Sequence, residues 1–142
     1  IEKAYREWAH DMGPMDTLKE CGLAFTCDWN KPEGFIGQEA LELQDSPTSR
    51  RLVQLVLEDP EPILTHNEPI LRNGERIGYT VSSGYGHTVG ACIAMGYVSY
   101  AEGVTDEFLN NGAYEIEQAN RSYQAKISLK PLYDPKSERA RS

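Results

Sequence analysis

The sequence predicts a mainly β chain in which a small antiparallel barrel or sandwich follows a short helix–strand–helix segment. Three observations carry this. The second half holds short apolar runs at a spacing of roughly 8–12 residues. Asn73-Gly74 sits between two such runs, and Asn-Gly tolerates the positive φ angles of a two-residue hairpin turn. The first 45 residues have a different texture, with apolar residues grouped at helical spacing.

In order along the chain, residues 1–11 place Ile1, Ala4, Tyr5 and Trp8 on one stripe, with Glu2, Lys3, Arg6 and Glu7 outside it, as in an amphipathic helix. Gly13-Pro14 ends that pattern. In "CGLAFTCDW", Leu23, Phe25 and Cys27 alternate with smaller residues, the period of a strand. "GFIGQEALELQ" bunches Phe35, Ile36, Ala40, Leu41 and Leu43 as on a short helix, and the polar "DSPTSR" then marks a boundary near 45–50. Beyond it, "RLVQLVLED" supplies an apolar run of strand length. "PILRNGERIGYTVSS" reads as a hairpin, and "AYEIEQANRSYQAKISL" as a second one turning at Asn120-Arg121. Between them, the glycines of "SSGYGHTVG" read as a corner reversing one strand into the next, with Ser82, Ser83 and Tyr85 offering hydroxyls there. The tail, 134–142, is expected to fray.

Composition excludes several classes of function. The chain has 142 residues, enough for one domain, and a formal net charge of -8. Such acidity argues against nucleic acid as the main partner, because phosphate binding draws on clustered Lys and Arg. No apolar run approaches the ~20 residues that cross a bilayer, so no membrane partner is expected. Cys21, Cys27 and Cys92 are an odd, scattered set without a CxxC, which fits a reducing compartment, cytoplasmic or, in a eukaryote, the mitochondrial matrix. There is no GxGxxG, GxxxxGK[ST], HExxH or GxSxG, and His10, His66 and His87 lie far apart, so no catalytic or metal-binding residue is assigned. An opening on Ile1 with a helix already under way reads as a piece of a longer chain. Taken residue by residue, the ordinary reading of Glu2 is a solvated glutamate, and that of the 82–87 corner is a strand reversal.

Four segments in order, "IEKAYREWAHDMGPMDTLKECGLAF", "GFIGQEAL", "EPILRNGERIGYTVSSGYGHTVGACIAMGYV" and "YEIEQANRSYQAKISLKPLYDP", resemble the C-terminal region of the dimethylglycine and sarcosine dehydrogenases. The rear half of those flavoproteins is similar to the glycine-cleavage T-protein, a tetrahydrofolate-dependent aminomethyltransferase. A phosphatase regulatory subunit without the chemistry shares that rear half. The resemblance implies a small antiparallel β-barrel of the T-protein C-terminal type over residues 50–133, with residues 1–45 ending a folate-binding aminomethyltransferase domain. It implies a partial tetrahydrofolate site here, with FAD confined to upstream parts of the parent chain. Upstream folate and flavin domains would then be the partners, together with folate itself, and an upstream aspartate would assist catalysis.

Residue by residue, the resemblance implies that Glu2, in a context similar to the family's R-[LI]-E, meets the pterin edge, where a carboxylate can accept two hydrogen bonds. Lys31 stands where the T-protein has an arginine after a strand, and a lysine lacks that residue's bidentate fork. Tyr5 and Tyr85 would stack on the ligand or hydrogen-bond to it. Tyr133 lies near the position of a C-terminal tyrosine of the T-protein without matching it. The corner at 82–87 would face the folate cleft. A flavin-free aminomethyltransferase and a non-catalytic scaffold are the alternative parents.

Overall fold

In the computed structural model, which describes residues 1–141, six strands close into one antiparallel barrel. They are β1 (Arg50–Leu57), β2 (Pro69–Arg72), β3 (Glu75–Gly86), β4 (Ala91–Ser99), β5 (Tyr114–Gln118) and β6 (Arg121–Ser128). The order around the barrel is β1-β4-β3-β2-β5-β6, and β6 pairs back onto β1 from Gln54↔Ser128 to Leu57↔Ala125. Closure leaves no sheet edge open to pairing with another chain. There are two one-turn helices: α1 (Gln38–Glu42) precedes β1, and α2 (Asp106–Asn110), between β4 and β5, adds Phe108 and Leu109 to the core that fills the barrel.

Both predicted hairpins form. Asn73 and Gly74 take φ values of 52° and 82°, the doubly left-handed turn that matches strand twist, and join β2 to β3. The β5–β6 reversal falls one residue earlier than the sequence suggests. Ala119 and Asn120 take the positive φ angles, 50° and 60°, and Arg121 already belongs to β6.

The apolar run of β4 is buried from Ala91 to Val98 because both of its faces are covered. Cys92, Ala94 and Val98 point into the barrel with Val53, Leu55, Leu57, Ile70 and Ile116. Met95 and Tyr97, of opposite parity, point outward and pack with Leu52 against Ala4 and Cys21 of the leading segment. Residues 1–49 therefore form a cover over the outer face of β1 and β4. Gly96 is a point of close approach, where a Cβ would lie 2.6 Å from both Ile70 Cδ1 and the Tyr79 carbonyl oxygen.

The cover differs from the expected helix–strand–helix. Only the last helix, α1, is present. Residues 1–11 are turns rather than a helix: Ala4 and Ala9 adopt φ of 53° and 69°, and a bridge joins Trp8 to Met12. The helical stripe is split, with Ala4 buried while Tyr5 and Trp8 are 66% and 61% exposed. Long-range bonds take the place of helical ones, for the Ile1 carbonyl accepts from Gln54 Nε2 at 2.6 Å and the Glu2 carbonyl from Tyr133 N at 3.1 Å. The predicted strand at 22–27 is a turn at Gly22 (φ 71°) and a 3₁₀ turn over Ala24–Thr26. Leu23 alone of its alternating set packs inward, and Phe25 stays 80% exposed. The start of the tail is tied down, since Lys3 Nζ donates to Asp134 Oδ2 at 2.7 Å.

Buried bonds fasten the cover to the barrel. The Tyr97 hydroxyl donates to the Asp11 carbonyl at 3.0 Å and lies 3.2 Å from Cys21 Sγ, with the Arg50 guanidinium 3.6 Å above its ring. Burial pushes the Tyr97 phenol and the Cys21 thiol upward, so both remain protonated at neutral pH.

Two substitutions report on this packing. Gly96→Val drives a side chain into Ile70 and the β3 backbone, and is expected to destabilise by about 1–3 kcal/mol or more. Ile116→Ala opens a cavity among fully buried neighbours and is expected to cost about 2–5 kcal/mol. Chemical denaturation measures both, as a lowered midpoint with an unchanged slope.

Candidate functional site

The glycine-rich stretch is not a corner at 82–87. Ser82 to Gly86 continue β3, and the reversal into β4 falls at His87–Gly90, closed by Gly90 N donating to the Gly86 carbonyl at 2.7 Å. Gly90 supplies the left-handed φ of 79°. Gly86 has a different task. A Cβ there would lie 2.4 Å from Ile93 Cδ1 and 3.1 Å from Glu2 Oε1, so only glycine lets the Glu2 carboxylate reach this end of the barrel.

That carboxylate clasps the turn. Glu2 Oε1 accepts from the backbone N–H of Thr88 at 2.6 Å and of Val89 at 2.9 Å, and Oε2 accepts from the Thr88 hydroxyl at 3.1 Å. The Val89 N–H and then the Thr88 donors hold the Glu2 carboxyl below the ordinary carboxylate range, against a smaller opposing effect of burial. A carboxylate has about four acceptor positions. Three are occupied by the turn, which leaves one position on Oε2.

The four residues singled out from sequence separate into groups. Tyr85 neighbours Gly86 on β3, is 43% exposed, and meets the His87 ring edge-on at 5.3 Å, so it shares the barrel end with Glu2. Tyr5 lies on the other side of the leading segment, in a cleft of about 840 Å³ with Lys3, Arg6, Phe25 and Lys130. Lys31 is exposed in the turn that follows Asp28, and among the described residues it has no hydrogen bond or ion pair to Glu2, Tyr5 or Tyr85. Reading residue types alone missed Thr88 and Val89. Their contribution is mainly backbone N–H, which no residue type announces.

A Ser–His–Asp grouping also forms, but as structure. Ser82 Oγ donates to Asp11 Oδ1 and lies 3.0 Å from His10 Nδ1, while Asp11 Oδ2 accepts from Glu7 N at 2.8 Å. A serine whose proton goes to the aspartate is not an activated nucleophile. Among the described residues no group of three or more His, Cys, Asp or Glu could hold a metal ion, and no helix is long and apolar enough to cross a membrane.

The clasp has a pH signature. Because folding lowers the Glu2 pKa from its ordinary 4.5, its contribution is complete above that value and is lost as pH falls through the folded-state value. Glu2→Gln is expected to lower Tm at pH 7. The gap between the two proteins should narrow below about pH 4, as followed by circular dichroism melts.

Comparison with known proteins places this geometry. The family described as "Glycine cleavage T-protein C-terminal barrel domain" matches residues 50–134, which contain all six strands. Over 99% of its length the chain is 39% identical to 4-methylaminobutanoate oxidase (formaldehyde-forming) of Paenarthrobacter nicotinovorans and, also over 99%, 39% identical to mitochondrial sarcosine dehydrogenase of Mus musculus. It is 32% identical, over 93% of its length, to mitochondrial dimethylglycine dehydrogenase of Homo sapiens. The chain spans only 15–16% of the length of these relatives. The crystal structure of aminomethyltransferase T from Bartonella henselae superposes with a TM-score of 0.75 at 24% identity, covering 94% of this chain and 37% of that one, a likeness of fold. With its closed six-stranded barrel and this match over most of its length, the chain belongs to the family of glycine cleavage T-protein C-terminal barrel domains.

Proposed function

We propose that this chain is the C-terminal aminomethyltransferase-like part of a flavin-dependent dehydrogenase of N-methyl amines such as sarcosine or dimethylglycine. In this reading it helps to close a tetrahydrofolate site that takes up the released one-carbon unit. The observation that carries the reading is near-complete alignment of the chain with enzymes named for oxidising N-methyl amines. The large exposed apolar residues of the cover are consistent with it: Trp8, Met15, Ile36 and Leu43 are 61–103% exposed, a surface suited to burial against preceding domains of the same polypeptide.

Within that site Glu2 is the leading contact. One acceptor position on its Oε2 is not taken up by the turn, at the barrel end that also carries Tyr85, and a pterin amino group is the kind of donor it takes. Tyr85 would offer an aromatic face beside it. Tyr5 and Lys31, which lie elsewhere, would act at more distant parts of the ligand or at the domain junction. The flavin would be held by upstream domains, and in a eukaryote the mitochondrial matrix would be the location, as for the mitochondrial relatives.

One relative is named formaldehyde-forming, which favours a second reading in which the one-carbon unit leaves as formaldehyde without capture by folate. The two readings differ in a measurable way. In the longer polypeptide turning over sarcosine, added tetrahydrofolate should suppress formaldehyde release under the first reading and leave it unchanged under the second.

Two outcomes are expected. The 142-residue chain alone, mixed with sarcosine and a dye acceptor, should reduce no dye. In the longer polypeptide, Glu2→Gln should weaken tetrahydrofolate binding about tenfold or more, because it replaces charge-assisted hydrogen bonds. Calorimetry below the variant's Tm measures the affinity, and an unchanged Kd removes Glu2 from the site.

A further inference from the structure

The cleft that holds Tyr5 concentrates positive charge in an acidic chain. Arg6, Lys130, Lys136 and Arg141 line it together with Lys3, which is paired with Asp134, and no Asp or Glu is among the lining residues, although acids outnumber bases 22 to 14 in the sequence. At its edge two guanidiniums converge over Gly22, where a Cβ would lie 3.1 Å from Arg6 Nη2 and 3.2 Å from Arg51 Nη2, Arg6 lining this cleft and Arg51 the adjacent one, which also holds Asp106. The left-handed φ of Gly22, 71°, and its missing side chain let both guanidiniums approach the backbone there.

Both arginines are half-buried, and both are held by backbone carbonyls alone. Arg6 Nε donates to the Cys21 carbonyl at 3.1 Å and Nη1 to the Ala4 carbonyl at 2.6 Å, while Arg51 Nη1 donates to the Lys19 carbonyl. Among the described residues neither arginine makes an ion pair, and Arg51 Nε is buried without a hydrogen-bond partner. Carbonyl oxygens satisfy donors but do not neutralise charge, so two like charges remain side by side in a partly desolvated place. An oxyanion offsets that arrangement by accepting from two forks at once.

We propose that Arg6 and Arg51, meeting over Gly22 at the edge of the basic cleft, bind the phosphate or carboxylate group of a small-molecule ligand. The apolar walls from Tyr5, Phe25 and Leu129 suit a ligand whose anionic group is attached to a less polar body. Among the described residues, Arg6 and Arg51 make no hydrogen bond or ion pair with the Glu2 clasp, and the test reads anion binding without folate.

The test uses inorganic phosphate and citrate as probes, against sodium chloride of equal ionic strength. Either probe should raise Tm saturably by about 2 °C or more, and the Arg6→Gln/Arg51→Gln double variant should abolish the rise, whereas Lys126→Gln should retain it. A rise equal to that in chloride, or one that survives in the double variant, overturns the proposal. Should the double variant fail to fold, backbone amide shifts of the unaltered chain decide. Saturable shifts centred on Gly22 and Leu23 support the site, and shifts elsewhere or none overturn it.

Discussion

Two-sided burial of β4 is the constraint on which the other features rest. A strand with one face inside a closed barrel and the other under a separate layer cannot shift register by one residue without exchanging its two sets of side chains. Met95 and Tyr97 would then press into the barrel, and Ala94 and Val98 would meet the cover. Gly96 reinforces the same register, because a side chain there would run into Ile70 and the β3 backbone. The cover is therefore part of the folded unit, not an appendage. Its anchor points, Ala4, Cys21 and the Asp11 carbonyl, all meet side chains projecting from β1 or β4.

Glu2 carries that constraint to the end of the barrel. Its side chain fixes the β3–β4 reversal while its backbone carbonyl accepts from Tyr133, so a single residue joins the start of the chain, a strand turn and the start of the tail. Gln54, buried on β1, completes the junction by donating to the Ile1 carbonyl and accepting from Leu132 N. Segments distant in sequence are thereby gathered at one end of the molecule. A contact made there by the one remaining position on the Glu2 carboxylate would be rigidly oriented, which is the condition for specific recognition of a polar ligand edge.

The sequence revealed β structure better than it revealed the cover, for a physical reason. Asn73-Gly74 encodes its turn locally, since few residue pairs accept two positive φ angles, and alternation along β5 reflects one buried face. The leading segment has no such local code. Its helical stripe of Ile1, Ala4, Tyr5 and Trp8 is present, yet bonds from Gln54, Tyr133 and Thr88 compete for the same backbone and side chains and prevail. Propensity is a weak prior against tertiary bonds of that number. For the same reason Tyr5 and Trp8, read as one stripe with Ala4, end on the surface.

By itself the sequence determined the hairpins, a β class of barrel or sandwich and the net negative charge, because turn chemistry and the parity of apolar residues are local properties, while the barrel type and the family followed from the resemblance of four segments in order. It also pointed to Glu2 and Tyr85, but not to what surrounds them. Only the tertiary structure decided that the glycines of 82–90 serve a strand and the approach of Glu2, that Tyr5 and Lys31 lie apart from Glu2, and that Arg6 meets Arg51 over Gly22. Those outcomes depend on distances between residues remote in the chain. Such distances are set only once the barrel closes and the cover is drawn onto it.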